Sequence, residues 1–166
     1  MYGRSVIPIF NSDRTKIIGF TGRKIDDNKL GPKWKHLSDK KLWIFGGNQK
    51  LPKTMEKVIL VESPVCIMKL YSYGIKNTLC LFGINISSKI ISYLIQANPK
   101  EILISTNNEP NNNSIGNIAA QEIKDKLASY FLEEKIKIAL PIAKDFGDQS
   151  DEQMLEWIKL YYVEEN

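Results

Sequence analysis

Between Val58 and Ile142 the chain alternates short apolar runs with stretches of helical period. VILV (Val58–Val61) is one such run, closed by Glu62, and SPVCIMKLYSYGI follows with the texture of a helix. The same alternation recurs in NTLCLFG (Asn77–Gly83), ISSKIISYLIQA (Ile86–Ala97) and EILIST (Glu101–Thr106). Short apolar runs between helical segments predict parallel βαβ units, with strands buried on both faces. A further helix is predicted from Ser114 to Glu133, where Ile118, Ile123, Leu127 and Phe131 recur at near-helical spacing. IKIALPI (Ile136–Ile142) is a fourth run, followed by the polar loop AKDFGDQS. Ser150 and Gln153 have capping-box spacing and place the start of a last helix. In that helix Leu155, Ile158 and Tyr162 share a face, with Trp157 and Tyr161 alongside, and are expected to close the core rather than form a docking surface.

The N-terminal third has a different pattern. Arg4 to Ile25 reads as two strands joined by a polar turn, with Gly19 and Gly22 loosening the second, a small antiparallel unit. GPKWKHL (Gly31–Leu37) follows, and reads either as a turn with an anchoring tryptophan and two solvated lysines or as phosphate contacts paired with base stacking on Trp34.

Charge sharpens this division. The net charge of +4 is concentrated near the N-terminus: Arg14, Lys16, Arg23, Lys24, Lys29, Lys33, Lys35, Lys40, Lys41, Lys50, Lys53 and Lys57 stand against Asp26, Asp27, Asp39 and Glu56. Such asymmetry is what a phosphate-contacting face needs. With 166 residues, 43% of them hydrophobic, the chain suits a modest globular fold. No apolar run has the length of a membrane span and no signal-peptide core is present, so a cytoplasmic protein without a membrane partner is expected. Cys66 and Cys80 lack metal-ligand spacing with the single histidine, His36, and are expected to be buried packing residues rather than a disulfide.

Glu62 is the leading candidate for chemistry, because ligands in open α/β sheets bind at the carboxyl ends of strands. The alternative is a carboxylate that merely favours the N-terminus of the following helix, by about 0.3–1 kcal/mol.

The order of RSVIPIFN, IIGFTGR, PKWKHLS, VILVES, a helix ending in YGI, a strand ending in LFG, and a strand followed by a polar loop and IGNIAA resembles the RNA-polymerase core of bacterial and phage DNA primases. The resemblance spans nearly the whole chain. It implies an α/β fold of Toprim type, a mainly parallel sheet flanked by helices and preceded by a small basic antiparallel β subdomain. On this basis residues 1–56 form the basic subdomain, 57–149 the Toprim-like domain and 150–166 a C-terminal helix packing on it.

The resemblance also implies nucleotidyl transfer in primer synthesis for DNA replication, with acidic residues holding a divalent metal at the nucleotide phosphates. Glu62 matches the family's first glutamate, and Asp145 and Asp148 resemble its last acidic loop at slightly changed spacing. Three acidic positions are altered: Cys66 stands four residues after Glu62, and Thr106 and Asn108 occupy the family's Asp-x-Asp pair. Glu109 follows directly and is a candidate to compensate. The implied metal set is Glu62, Glu109, Asp145 and Asp148, giving a weak Mg²⁺ or Mn²⁺ site and no zinc. The chain shows neither the Cys/His zinc module of primases nor a helicase segment. Arg4, Arg23, Lys33, Trp34 and Lys35 are the expected contacts to a single-stranded DNA or RNA template and to nucleotides. Two readings stand: a divergent, phage-type primase core acting in the host cytoplasm, or a catalytically inactive nucleic-acid-binding or scaffolding subunit working with other replication or transcription proteins. A Toprim nuclease would need the same missing carboxylates.

Overall fold

The computed structural model describes residues 1–26, 30–46, 56–109 and 115–163; Asp27, Lys29, Lys50, Lys53, Ser114 and residues 164–166, named above, lie outside them. Seven strands and four α-helices are described: β1 (Arg4–Phe10), β2 (Ile17–Lys24), β3 (Trp34–Leu37), β4 (Lys57–Val61), α1 (Pro64–Ser72), β5 (Thr78–Cys80), α2 (Ser88–Ala97), β6 (Glu101–Ser105), α3 (Ile115–Ala128), β7 (Ile136–Ile138) and α4 (Asp151–Tyr161). β1, β2 and β3 form an antiparallel sheet, and β5-β4-β6-β7 a wholly parallel one.

The apolar runs become strands because both faces of the parallel sheet are covered. The chain leaves β4 for β5 in one direction and passes back across β4 to β6 in the other, so right-handed crossovers put α1 on one face and α2 and α3 on the opposite face. Val58, Leu60, Ile102 and Ile104 accordingly pack with Leu94 and Ile123, while Ile59, Val61 and Leu103 pack with Leu70, Phe146 and Trp157. Cys66 and Cys80 are both free thiols buried in that second layer.

Two expectations are corrected. Gly31–Leu37 is not simply a turn: Trp34 to Leu37 form the third strand of the antiparallel sheet, pairing Trp34 with Arg23 and His36 with Thr21. In α4 the buried positions are Met154 and Trp157, with Ile158, Tyr161 and Tyr162 partly buried against the core, whereas Leu155 is 60% exposed. Spacing alone had put Leu155 on the core face. The capping box of Ser150 and Gln153 is present as expected.

The antiparallel sheet is anchored through Ile9 and Trp43, both buried in the layer that contains α1. Trp43 donates its indole N–H to Ser38 Oγ at 3.1 Å and meets Phe82 edge-on at 5.0 Å. A Cβ on Gly19 would stand 2.5 Å from the Trp43 ring, so the absence of a side chain there lets strand and indole touch. No helix among the described residues is long and apolar enough to cross a membrane.

Candidate functional site

β4 is the point at which the strand order reverses, with β5 on one side and β6 on the other. Crevices at carboxyl ends open at such switch points, and Glu62 is the first residue past β4. Its Oε1 accepts the backbone N–H of Asn107 at 2.9 Å, reaching the loop after β6. Ser63 is the N-cap residue of α1, followed by Pro64. The Glu62 carboxylate therefore bridges two strand ends instead of serving only as a cap. Burial pushes its pKa up, the Asn107 N–H opposes this, the negative charges of Glu109 and Asp145 push it further up, and Lys144 pulls it down.

The altered positions lie around this carboxylate. Cys66 is buried within α1, its Sγ 3.4 Å from Ser63 Oγ, and burial first of all raises its thiol pKa. Thr106 is fully buried and donates its hydroxyl to Gly116 O at 2.7 Å. The contact is tight: a Cβ on Gly116 would fall 1.9 Å from Asn107 O, so the IGNIAA segment needs glycine there for α3 to press against the loop. Asn108 donates its side-chain amide to Pro141 O at 2.9 Å and its backbone N–H to Lys144 O at 2.7 Å, joining the loops after β6 and β7. Glu109 is ion-paired with Lys144 at 2.9 Å.

Asp145 caps a short 3-10 turn (Phe146–Asp148) by accepting the Asp148 N–H at 3.1 Å. That loop is supported from below. Trp157 donates to both Ala139 O and Leu140 O at 3.1 Å and meets buried Phe146 edge-on at 4.9 Å, while Gln149 Oε1 accepts the Ile142 N–H at 2.6 Å.

Glu62, Asn107 and Asp145 form one wall of a cleft of about 190 Å³, with Ser63, Pro64, Phe82 and Gly83 along it. Arg23, Lys33, Trp34 and His36 form the facing wall. Strand alternation explains the selection: Trp34 and His36 are half-buried on the inner face of β3, whereas Lys35 is exposed between them and does not line the cleft. Arg4 does not line the cleft either: its guanidinium donates to Gly22 O, Pro32 O and Lys33 O and so holds the Lys33 loop against the sheet. Glu109 and Asp148 are not among the cleft-lining residues.

His36, Asn107 and Lys144 emerge only in three dimensions. His36 Nδ1 lies 3.0 Å from Thr21 Oγ1, and its ring meets Trp43 and Phe82 edge-on at 5.7 and 5.8 Å. Burial, then the charge of Lys40, lowers its pKa, so a neutral imidazole faces the cleft near neutral pH. Reading β3 with period two would have paired His36 with Trp34. No local signal marks Asn107 or Lys144.

The side chains do not fit the divalent-metal set of the resemblance. Mg²⁺ requires several oxygen ligands converging in near-octahedral geometry, yet Glu109 is paired with an ammonium, Glu109 and Asp148 do not line the cleft with Glu62 and Asp145, and Thr106 and Asn108 bring no charge where the resemblance has aspartates. Among the described residues no group of three or more His, Cys, Asp or Glu is arranged to hold a metal ion.

Comparison with solved structures identifies the fold. A DNA primase domain from Pseudomonas aeruginosa superposes with a TM-score of 0.75 at 19% identity, covering 96% of this chain and 51% of that one. A DnaG primase catalytic domain bound to single-stranded DNA gives 0.74 at 16% identity, covering 95% and 53%. The zinc-binding and RNA polymerase domains of Aquifex aeolicus primase give 0.66 at 24% identity, covering 96% and 37%. The chain thus has the fold of primase catalytic cores, while spanning about half the length of the first two solved chains and less of the third. No protein-family model matches the sequence, and the search of curated proteins returns no match.

Proposed function

We propose that this chain is a primase-type core that binds single-stranded nucleic acid in the cleft between its two sheets, and in which primer synthesis has been lost. The observation that carries this reading is the pairing of a basic and aromatic wall, Arg23, Lys33 and Trp34, with an acidic wall that keeps Glu62 and Asp145, while Thr106 and Asn108, where the resemblance has two carboxylates, are neutral side chains bonded to backbone carbonyls. Arg23 and Lys33 supply charge for backbone phosphates, and Trp34 a face on which a base stacks. Lys35, on the other face of β3, has no part in this cleft. The solved primase core with single-stranded DNA supports the ligand class. With Glu62 and Asp145 as the carboxylates that line the cleft among the described residues, Mg²⁺ or Mn²⁺ has a weak hold, and no zinc role is proposed. The protein then acts in the cytoplasm, that of the host if it is viral, as a binding or scaffolding subunit beside other replication or transcription proteins. Residues 1–56 serve as the basic subdomain, 57–149 as the Toprim-like domain, and 150–166 as the C-terminal segment whose helix α4 packs on that domain.

A second reading, residual nucleotidyl transfer, is favoured by one observation: Glu62 and Asp145 still share the cleft with Arg23 and Lys33. The deciding experiment is template-dependent ribonucleotide incorporation by purified protein with Mg²⁺ or Mn²⁺, with Glu62→Gln as control and single-stranded DNA and RNA binding measured in parallel. Binding without product is the expected result. Metal-dependent product abolished by Glu62→Gln overturns the loss of catalysis, and absence of nucleic-acid binding overturns the binding role.

A further inference from the structure

The acidic cluster contains its own cation. Lys144 immediately precedes Asp145, and its Nζ lies 2.9 Å from Glu109 Oε1. Its charge also acts on Glu62, Asp145 and Asp148. Its backbone is fixed as well, because its carbonyl accepts the Asn108 N–H at 2.7 Å and Asn108 is tied in turn to Pro141 O. Lys144 is therefore not a lysine on an unconstrained loop that happens to pass near acids. Asn108, at one of the positions where the resemblance has a carboxylate, thus ties down the backbone of the lysine whose ammonium pairs with Glu109.

This arrangement addresses an electrostatic problem. Glu62, Glu109, Asp145 and Asp148 would together repel a phosphate backbone entering the cleft. A divalent ion solves this in a metal-dependent enzyme by neutralising carboxylates and phosphates at once. Here Glu109 is neutralised by Lys144, Glu62 is partly withdrawn from water, and Arg23 and Lys33 remain on the facing wall for the strand.

We propose that the Lys144 ammonium is the resident cation of this cluster, standing in the role that a divalent metal fills in the primase resemblance, so that the cleft accepts nucleic-acid phosphates without a metal bridge. The part concerning nucleic acid rests on the binding role proposed above; the part concerning the metal does not.

The test uses two readouts on the whole chain. Mn²⁺ binding is followed by electron paramagnetic resonance, and binding of a labelled oligothymidylate by fluorescence anisotropy, with chelator or with Mg²⁺ at matched ionic strength. An opposite charge close to a carboxylate lowers its affinity for other cations, and for a lysine as exposed as Lys144 solvent screens the effect, so Lys144→Ala should tighten Mn²⁺ binding by roughly two- to fivefold. Wild type should bind the oligonucleotide equally with chelator and with Mg²⁺. Lys144→Ala should bind more weakly in chelator and recover with Mg²⁺, and Lys144→Arg should behave as wild type. Lys144 is 56% exposed, so the variants should fold, and circular dichroism checks this. Loss of wild-type oligonucleotide binding on chelation overturns the proposal, as does Lys144→Ala holding Mn²⁺ no better than wild type. If no form binds the oligonucleotide, the nucleic-acid role fails by itself, while the Mn²⁺ titration still decides whether Lys144 takes the metal's place.

Discussion

The two walls of the cleft predict a specific salt dependence. Arg23 and Lys33 line it, whereas Lys35, exposed on the opposite side of β3, does not. If a single strand runs through the cleft, each cation that contacts a phosphate adds about 0.7 to the magnitude of the slope of log K against log salt. Replacing Arg23 and Lys33 by alanine should therefore flatten that slope by about 1.4. Between ~50 and ~200 mM salt, this means the double variant should lose about sevenfold less affinity than wild type loses over the same interval. Lys35→Ala removes a charge of the same sign and should leave the slope nearly unchanged.

Anisotropy titrations of one labelled oligonucleotide across a salt series give both slopes directly. The comparison is internal, since the three residues come from adjoining strands of one sheet and its connecting loop. Equal flattening by Lys35→Ala and by the double variant would mean that the strand contacts the protein through diffuse charge. Flattening by Lys35→Ala alone would put it on the outer face, and either result refutes the cleft as the binding site.

Trp34→Ala should weaken oligonucleotide binding by about 1–3 kcal/mol, the worth of one stacked base, with the salt slope preserved; an unchanged affinity would leave Trp34 as an anchor of β3 only. Trp157→Ala removes a fully buried ring and both of its hydrogen bonds, and should cost about 3–5 kcal/mol in chemical denaturation; a loss below ~1 kcal/mol would show that α4 does not support the acidic loop. Thr106→Asp would place a carboxylate against Gly116 O in a fully buried position, so unfolding should become easier by about 3 kcal/mol or more; calorimetry showing a stable variant with gained Mg²⁺ affinity would mean that the old site is intact. Glu62→Gln should be more thermostable than wild type at neutral pH. Because the folded pKa of Glu62 is raised, the native state holds the proton more tightly than the unfolded chain, and stability falls as pH rises from the ordinary Glu value of about 4.3 through the folded pKa; a difference in Tm that stays constant across this pH range would contradict the assigned environment.

Legibility from sequence followed the range of the interactions involved. The β4–Glu62 junction was readable because a run buried on both faces must be apolar throughout, and the charge that ends it marks where the sheet meets solvent. The capping box at Ser150 and Gln153 was readable because both partners lie within one turn. Leu155 was placed inward because size and spacing do not record the exact rotation of a helix; burial of Met154 and Trp157 turns it outward. Lys33, Trp34 and Lys35 were grouped because their charges and ring are contiguous, but a strand separates neighbours onto opposite faces. Arg4 had no visible partners in sequence, since all three of its acceptors are backbone carbonyls contributed by distant residues. Glu109 was legible as a candidate acid, but its pairing with Lys144 was silent, because the two lie in different polar loops.

The substitutions at the acidic site become coherent once their partners are considered together. Removing a metal from a carboxylate cluster would ordinarily leave like charges repelling across flexible loops. In this chain two of the altered side chains and one ion pair instead make the bonds that hold those loops: Thr106 to Gly116 O, Asn108 to Pro141 O, and Lys144 to Glu109. A buried hydroxyl or amide bonded to a carbonyl contributes about 0.5–1.5 kcal/mol and does not depend on an ion in solution. The loop geometry is therefore maintained by the protein alone, while Asp145 remains on the cleft wall facing Arg23 and Lys33. Changes that remove the chemistry of phosphoryl transfer need not disturb the binding surface, because the basic wall belongs to the antiparallel sheet and makes none of these three bonds. That separation is the physical basis on which the proposed reading keeps strand binding without nucleotidyl transfer.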